Sequence, residues 1–390
     1  MKIILATESF YPNIDGGAVA QFNLTKELVK KGHEVHVIAP NSNFKNMVEK
    51  KDGIIIHRVR AIKLPFYMQG RYNFSPFPYL KINSIIRKVK PDVINVCSPY
   101  FIGSSAYISA RRNRLPVVGS IHLLPQNLIS PIRGLRNIRL FEIFFWKYLI
   151  YFFDFVDIAT IPTETGAKIY KNKGLKTKVV PISNGINTDI FNPKNNGEYL
   201  RKKFNLPKKN IVLCCGRLTA EKNLDVLVKA IPYVIKEKKA HFLFVGSGGD
   251  YKKYLINLSN ELKVKDHITF TDFLDWKDYP NIFTIADLFV MPSEAELQSI
   301  VSLEAVASGL PVVVVNKGAL PELASMDNGL IFESRNSRQL SKYIVKILSD
   351  TNLQKKMSKN SLKLVKNHSL ETITIQFENV YKKTIDVHKK

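Results

Sequence analysis

Two glutamates, Glu296 and Glu304, are the residues whose type and spacing first suggest chemistry. They stand eight positions apart, the first in a polar loop and the second inside a segment with helical spacing. Small and apolar residues surround the second glutamate, so it borders an interior that normally excludes carboxylates. A carboxylate kept there needs a partner, and the hydroxyl groups of a ribose would serve. The alternative is a loop carboxylate in water and a solvated helix face.

The segment around these glutamates has the pattern of a strand, a loop, a helix and a second strand of one parallel sheet. An apolar run at 286–291 ends at Pro292, and helical spacing follows at 299–308. In parallel sheets, the carboxyl ends of strands and the amino ends of the following helices face a ligand crevice. We therefore expect Ser299 and Ile300, at the start of this helix, to contact an anion.

Two basic residues, Arg217 and Lys222, flank the start of another predicted helix at 224–236. Cations are normally unfavourable at a helix amino terminus, because the helix dipole is already positive there. Their position indicates a bound phosphate, whereas the alternative is two solvated basic residues in a lysine-rich chain.

Two further candidates follow strands in the amino-terminal half. Gly16 and Gly17 precede a helix predicted from about residue 18, where glycines allow the backbone to approach a ligand closely. An ordinary tight turn is the alternative. His122 lies at the carboxyl end of a predicted strand, which is a position where ligands bind, although a lone loop histidine is more often structural.

The charge of the chain indicates an anionic partner. The formal net charge is +25, and residues 51–150 contain 16 Lys and Arg against 3 Asp and Glu. Such a field attracts phosphate surfaces, either anionic lipid or nucleic acid. Cys97, Cys214 and Cys215 lie in apolar runs, which favours small core residues in a reducing compartment.

One basic and aromatic segment, residues 129–155, suits a membrane surface. Arg133, Arg136 and Arg139 recur every three residues, so a helix would gather them on one side. Trp146 and neighbouring aromatic residues are typical of a helix at the lipid headgroup boundary. The alternative is a long core helix with a basic start. No uncharged apolar run of about 20 residues occurs, which argues against a transmembrane helix.

The alternation of apolar strands and helices along the chain predicts an α/β protein with doubly wound parallel sheets. A chain of 390 residues is expected to form two domains. Periodicity breaks near Asn184, so we predict a first domain at 1–184, a linker at 185–208 and a second domain at 209–370. A last helix is predicted at 371–388.

Several ordered motifs resemble the retaining nucleotide-sugar glycosyltransferases of the GT-B fold, glycosyltransferase family 4. The signature of that family is Glu-x7-Glu followed by Ala and a Ser-Gly-x-Pro-Val turn. The matching residues here are Glu296, Glu304-Ala305, Ser308-Gly309-Leu310-Pro311-Val312, Gly216-Arg217-Leu218, Glu221-Lys222 and Asn184-Gly185-Ile186. The chain departs from the family at Ser299, where Gly is frequent, and at Asn187, where Asp is usual.

The resemblance implies two Rossmann-like domains facing a deep cleft, with the nucleotide sugar held by the second domain. It also implies that the last helix, 371–388, packs back onto the first domain. It implies that Arg217 and Lys222 neutralise the departing diphosphate, with backbone N–H groups near Ser299 and Ile300 assisting. Glu296 would accept hydrogen bonds from the sugar and Glu304 from the ribose.

In the first domain, the resemblance implies that Gly16 and Gly17 face the donor diphosphate and that His122 contacts the transferred sugar. No cofactor and no metal are expected besides the nucleotide sugar.

The sequence His122-Leu123-Leu124-Pro125-Gln126-Asn127 resembles the branch that glucosylates diacylglycerol. The implied reaction transfers a hexose, glucose from UDP-glucose, to diacylglycerol or a related membrane lipid and gives an α-glycoside. The expected location is the cytoplasm, peripheral on the inner face of the cell membrane. A soluble sugar or cell-surface glycan acceptor is the second interpretation, and a basic non-enzymatic protein that binds nucleic acid or membrane is the third. No nucleic-acid motif supports the third, and the oligomeric state stays open.

Overall fold

The computed structural model describes residues 1–13, 15–41, 43–63, 73–125 and 139–389. The chain divides into two compact units, Met1–Gly185 with Leu370–Lys390, and Ile186–Ser369. Each unit is built on its own parallel sheet flanked by helices, which confirms the predicted fold class.

The first unit contains ten strands and five helices before the second unit begins, among the residues that the structure describes. The strands are β1 (Lys2–Ala6), β2 (Glu34–Asn41), β3 (Met47–Lys51), β4 (Ile54–Arg60), β5 (Ile62–Lys63), β6 (Asn73–Phe74), β7 (Val93–Val96), β8 (Val117–Ser120), β9 (Ile158–Ile161) and β10 (Val179–Pro181). The helices are α1 (Gly16–Lys30), α2 (Tyr79–Val89), α3 (Phe101–Arg112), α4 (Arg139–Phe153) and α5 (Glu164–Asn172).

The main sheet of this unit has the strand order β10-β9-β8-β7-β1-β2-β4-β3. Its central strands are short apolar runs buried on both faces, as expected for a parallel sheet covered by helices. Among the described strands of this sheet, only β3 runs antiparallel, beside β4 at the edge. Strand β3 was not predicted from the sequence, because its lysine-rich, mostly exposed residues show no burial pattern.

The second unit forms a six-stranded, fully parallel sheet in the order β13-β12-β11-β14-β15-β16. Its strands are β11 (Asn210–Cys215), β12 (Ala240–Val245), β13 (Ile268–Thr271), β14 (Leu288–Met291), β15 (Val312–Val315) and β16 (Gly329–Phe332). Its helices are α6 (Glu198–Lys203), α7 (Leu224–Glu237), α8 (Gly249–Glu261), α9 (Ile300–Ala307), α10 (Ser337–Ser349) and α11 (Thr351–Leu364).

The boundary between the units differs from the predicted linker at 185–208. Residues from Ile186 onward belong to the second unit, because Phe191 and Leu200 are buried in its core. The final helix, α12 (Leu370–His388), belongs to the first unit. There the buried Tyr381 hydroxyl accepts a hydrogen bond from Asn95 Nδ2 at 2.9 Å.

Candidate active site

The second unit places its functional candidates at the point where the strand order reverses. β12 lies on one side of β11 and β14 on the other, so the connections leaving β11 and β14 diverge and open a crevice. The segment after β11 carries Arg217 and Lys222, and the segment after β14 carries Glu296. The topology thus explains why residues far apart in the sequence meet at the ends of adjacent strands.

Lys222 and Glu296 form a direct ion pair between Nζ and Oε1. Their side chains are only 15% and 10% exposed. Taking two charges out of water is costly unless they compensate each other, so each side chain supplies the partner that the other needs in this sheltered position. A bound ligand could replace this ion pair. An anionic group would then contact Lys222, and a hydroxyl group would donate to Glu296.

Close backbone packing holds the two loops that carry this pair. Gly246 has φ +140°, and a Cβ there would lie 2.0 Å from the Gly216 carbonyl oxygen, so the turn after β12 supports the loop after β11. Leu218 N–H donates to the Ser247 carbonyl at 2.9 Å. Gly318 similarly approaches the backbone of Glu296, where an added Cβ would lie 2.8 Å from the carbonyl oxygen.

Arg217 lies on the same loop, with a half-exposed side chain. Its Nη2 lies 3.4 Å from Glu221 Oε1, four residues later. A solvated pair of this kind contributes little to stability, so the guanidinium can exchange its partner for a phosphate at small cost.

Glu304 is buried within α9, with 6% of the residue exposed. The Tyr279 hydroxyl donates to its Oε2 at 2.5 Å. Burial raises the pKa of Glu304 to about 8, although the hydrogen bond from Tyr279 acts in the opposite direction. Glu304 was predicted from the sequence but Tyr279 was not, because no local pattern shows that the two side chains meet.

Ser299 is the N-cap of α9, and its Oγ accepts from the Ser302 backbone N–H at 3.3 Å. Ile300 is the first helical residue. The first backbone N–H groups of a helix lack intrahelical acceptors, so this end of α9 has donors for an anion.

Gly16 and Gly17 do not precede the first helix as predicted but form its first two residues. The helix starts earlier because Asp15 caps it, with Oδ1 accepting from the Ala18 backbone N–H at 3.0 Å. A carboxylate of the chain itself therefore already lies at this helix amino terminus.

His122 follows β8 and lines a small cavity, in which Gln21, Asn95, Ser120 and Asn184 are the other polar residues among mostly apolar walls. Burial lowers the pKa of His122 to about 4, and a hydrogen bond with Asn184 opposes this shift. The imidazole is therefore neutral at pH 7 and suited to hydrogen bonding without a charge.

Glu8, which the sequence analysis did not select, lies at the reversal of strand order in the first sheet, between β1 and β7. Its Oε1 accepts from the backbone N–H groups of Ile102 at 2.6 Å and Gly103 at 3.4 Å, and its Oε2 accepts from the Ser98 hydroxyl. Burial raises the pKa of Glu8 to about 8. The sequence signal that could have identified Glu8 is a glutamate two residues after the end of a buried strand.

The four residues that were predicted to contact the membrane differ in where they lie. Arg133 and Arg136 lie outside the described residues, and Arg139 is the first residue of α4. Trp146 was predicted to face lipid, but it is 6% exposed and packs edge-on against Tyr170 with ring centroids 5.1 Å apart. The prediction that Trp146 is a lipid-facing residue is therefore wrong.

Other residues of α4 expose large apolar side chains instead. Leu140 is 77% exposed and Phe144 64%, and Ile143 and Tyr151 are exposed on the same face. Lys147, Lys173 and Lys176 contribute to a shallow groove beside it. We call Leu140, Ile143, Phe144 and Tyr151 the α4 outer face.

Among the residues that the structure describes, no helix combines the length and hydrophobicity that a bilayer-spanning segment requires. No group of three or more His, Cys, Asp or Glu side chains among these residues is arranged to hold a metal ion.

Two family models match consecutive parts of the chain. "Glycosyltransferase Family 4" matches residues 14–190, and "Glycosyl transferases group 1" matches residues 196–364. An uncharacterized glycosyltransferase of Methanocaldococcus jannaschii is 29% identical over 98% of this chain and 98% of its own. The alpha-monoglucosyldiacylglycerol synthase of Streptococcus pneumoniae is 26% identical over 83% of this chain and 73% of its own.

Solved structures show the same fold. The crystal structure of Anabaena HepE in complex with UDP-glucose superposes with a TM-score of 0.77 at 18% identity, over 98% of this chain and 100% of that one.

Proposed function

The chain is a glycosyltransferase with the GT-B fold, and on that premise we propose that it transfers glucose from UDP-glucose to diacylglycerol or a related membrane lipid. The Lys222–Glu296 pair at the reversal of strand order is the observation that supports binding of the nucleotide sugar. A cation for the diphosphate and a carboxylate for the sugar stand side by side there.

Lys222 and Arg217 neutralise the negative charge that develops on the departing diphosphate. The backbone N–H groups at Ser299 and Ile300 add fixed dipoles to the same task. Such prearranged donors act most strongly where water is excluded, and the low exposure of Lys222 fits that requirement.

Glu296 accepts hydrogen bonds from the sugar hydroxyls, and Glu304 accepts from the ribose. In the first unit, neutral His122 positions the transferred sugar by a hydrogen bond. The two glutamates serve different parts of one ligand, so they do not form the acid and nucleophile pair of a glycosidase.

In the reaction, the acceptor hydroxyl oxygen bonds to the sugar C1 while the bond from C1 to the diphosphate oxygen breaks. The acceptor proton passes to the leaving diphosphate, and UDP is released. Attack on the same face that the diphosphate leaves gives the α-glycoside.

The lipid acceptor is supported by the α4 outer face and the neighbouring lysines. Exposed apolar side chains beside Lys147, Lys173 and Lys176 match an interface that is apolar inside and anionic at its headgroups. The relative from S. pneumoniae is named for a glucosyldiacylglycerol product, which agrees with this acceptor class. We place the protein peripherally on the inner face of the cell membrane.

A direct test mixes the protein with labelled UDP-glucose and anionic liposomes that contain diacylglycerol. A labelled lipid that an α-glucosidase cleaves is the expected product. If label appeared only in added soluble sugars, the acceptor would be a soluble sugar and not a lipid. Parallel reactions with GDP- and ADP-sugars identify the base, and a failure with every donor would contradict the proposed reaction itself.

A further inference from the structure

We propose that Tyr279 is a positioning residue for donor binding. Its hydroxyl holds Oε2 of Glu304 and leaves Oε1 to accept from the ribose hydroxyls of the nucleotide. This inference rests on the proposed function, because it assigns a nucleotide to the site that contains Glu304.

The ring of Tyr279 is fixed by its neighbours, so the position of its hydroxyl is well determined. Tyr279 begins a 3₁₀ turn, Tyr279–Ile285, and its backbone N–H donates to the Asp275 carbonyl at 2.9 Å. Phe283 packs edge-on against the ring, with centroids 5.6 Å apart, and Trp276 stacks on it at 6.1 Å. A side chain held this way orients its partner without losing further conformational freedom when the ligand binds.

The hydrogen bond also governs the charge of Glu304. A buried carboxylate is destabilised in its ionised form unless donors compensate it, and Tyr279 supplies such a donor. Among the described residues, the titratable groups that interact with Glu304 are Tyr279 and the Cys215 thiol. Burial raises the pKa of each of these two groups well above its usual value. The carboxyl group is therefore the one that changes charge between pH 6 and 9.

The ionised carboxylate can accept from both ribose hydroxyls, whereas the protonated group loses acceptor capacity. Since the pKa of Glu304 is about 8, the affinity for a nucleotide should rise as the pH passes from 7 to 9. Removing the Tyr279 hydroxyl should move this rise to a higher pH.

The test measures UDP and 2′-deoxy-UDP binding by calorimetry between pH 6.5 and 9. We expect Tyr279→Phe to weaken UDP about tenfold or more at pH 8, as for the loss of a hydrogen bond to a charged group. Binding of 2′-deoxy-UDP should change less than threefold. Combining Tyr279→Phe with Glu304→Gln should cost no more than Glu304→Gln alone.

Tyr251→Phe is the matched control, because the Tyr251 hydroxyl donates to the Asp225 carboxylate at 3.2 Å in the same unit. It should leave UDP binding and its pH dependence unchanged. If Tyr279→Phe does not fold, the wild-type protein still tests the inference, since its preference for UDP over 2′-deoxy-UDP should grow with pH.

A preference that does not vary with pH, or equal UDP binding by Tyr279→Phe and the wild type, would overturn the inference and leave the proposed function intact. Failure of the wild-type protein to bind UDP, GDP or ADP would overturn both.

Discussion

Lys222 and Glu296 lie 74 positions apart in the sequence but form an ion pair at the carboxyl ends of two adjacent strands. Each group compensates the buried charge of the other. A donor would have to separate them, with the diphosphate taking Lys222 and the sugar taking Glu296. The pair thus couples recognition of the two ends of one ligand.

Replacing Lys222 with Ala should lower turnover by about two to three orders of magnitude, as for the loss of one electrostatic donor in an active site. Affinity should fall more for UDP than for UMP, because Lys222 is assigned to the diphosphate. Steady-state kinetics and calorimetry measure the two effects. Lys229→Ala is the control, since Lys229 is also paired, with Asp225 at 2.7 Å, in the same unit. Equal turnover in Lys222→Ala and Lys229→Ala would contradict the assignment of Lys222 to the diphosphate.

Replacing Glu296 with Gln should impair sugar use more than nucleotide binding. The amide keeps the size of the side chain but loses the charge that accepts from sugar hydroxyls and balances Lys222. We expect turnover with UDP-glucose to fall by at least about tenfold, while UDP affinity changes by less than about threefold. An equal loss in both measurements would contradict the assignment of Glu296 to the sugar.

Replacing Leu140 and Phe144 together with Ser should weaken sedimentation with anionic liposomes by at least about tenfold, because both apolar side chains would lose their contact with lipid. Phe273→Ser is the control, since Phe273 is also 64% exposed but belongs to the second unit. Replacing Arg133, Arg136 and Arg139 with Ser tests the basic part of the same segment. Unchanged sedimentation of the Leu140 and Phe144 variant would exclude the α4 outer face as the membrane contact.

Replacing Glu8 with Gln should change how stability depends on pH. The pKa of Glu8 is raised from 4.5 to about 8 by burial, so the folded protein holds this proton more tightly than the unfolded chain. The contribution of Glu8 to stability is therefore complete below about pH 4.5 and is lost as the pH rises through 8.

Urea unfolding of both proteins from pH 4 to 9 measures this effect. The free energy of unfolding of the wild type should fall relative to that of Glu8→Gln as the pH rises from about 4.5 to 8, by up to about 1.4 kcal/mol per pH unit. Contributions from other groups, such as His122, cancel in the difference. A difference that stays constant with pH would show that Glu8 does not carry the assigned proton.

The sequence by itself determined the fold class and most of the elements that carry the site. Short apolar runs such as Val93–Val96 and Val312–Val315 have few alternatives to buried parallel strands, and Gly and Pro mark where they end. Local patterns also singled out Lys222, Glu296 and Glu304, because charged residues at strand and helix ends are informative without knowledge of their partners.

Only the tertiary structure decided which side chains meet and which face outward. The contact between Tyr279 and Glu304 joins segments 25 positions apart, and no period in the sequence encodes it. Trp146 and Phe144 are both aromatic residues of one apolar helix, yet packing against Tyr170 buries the first and leaves the second exposed. The physical reason is that helical spacing fixes which residues share a face, whereas the neighbouring elements determine which face is buried.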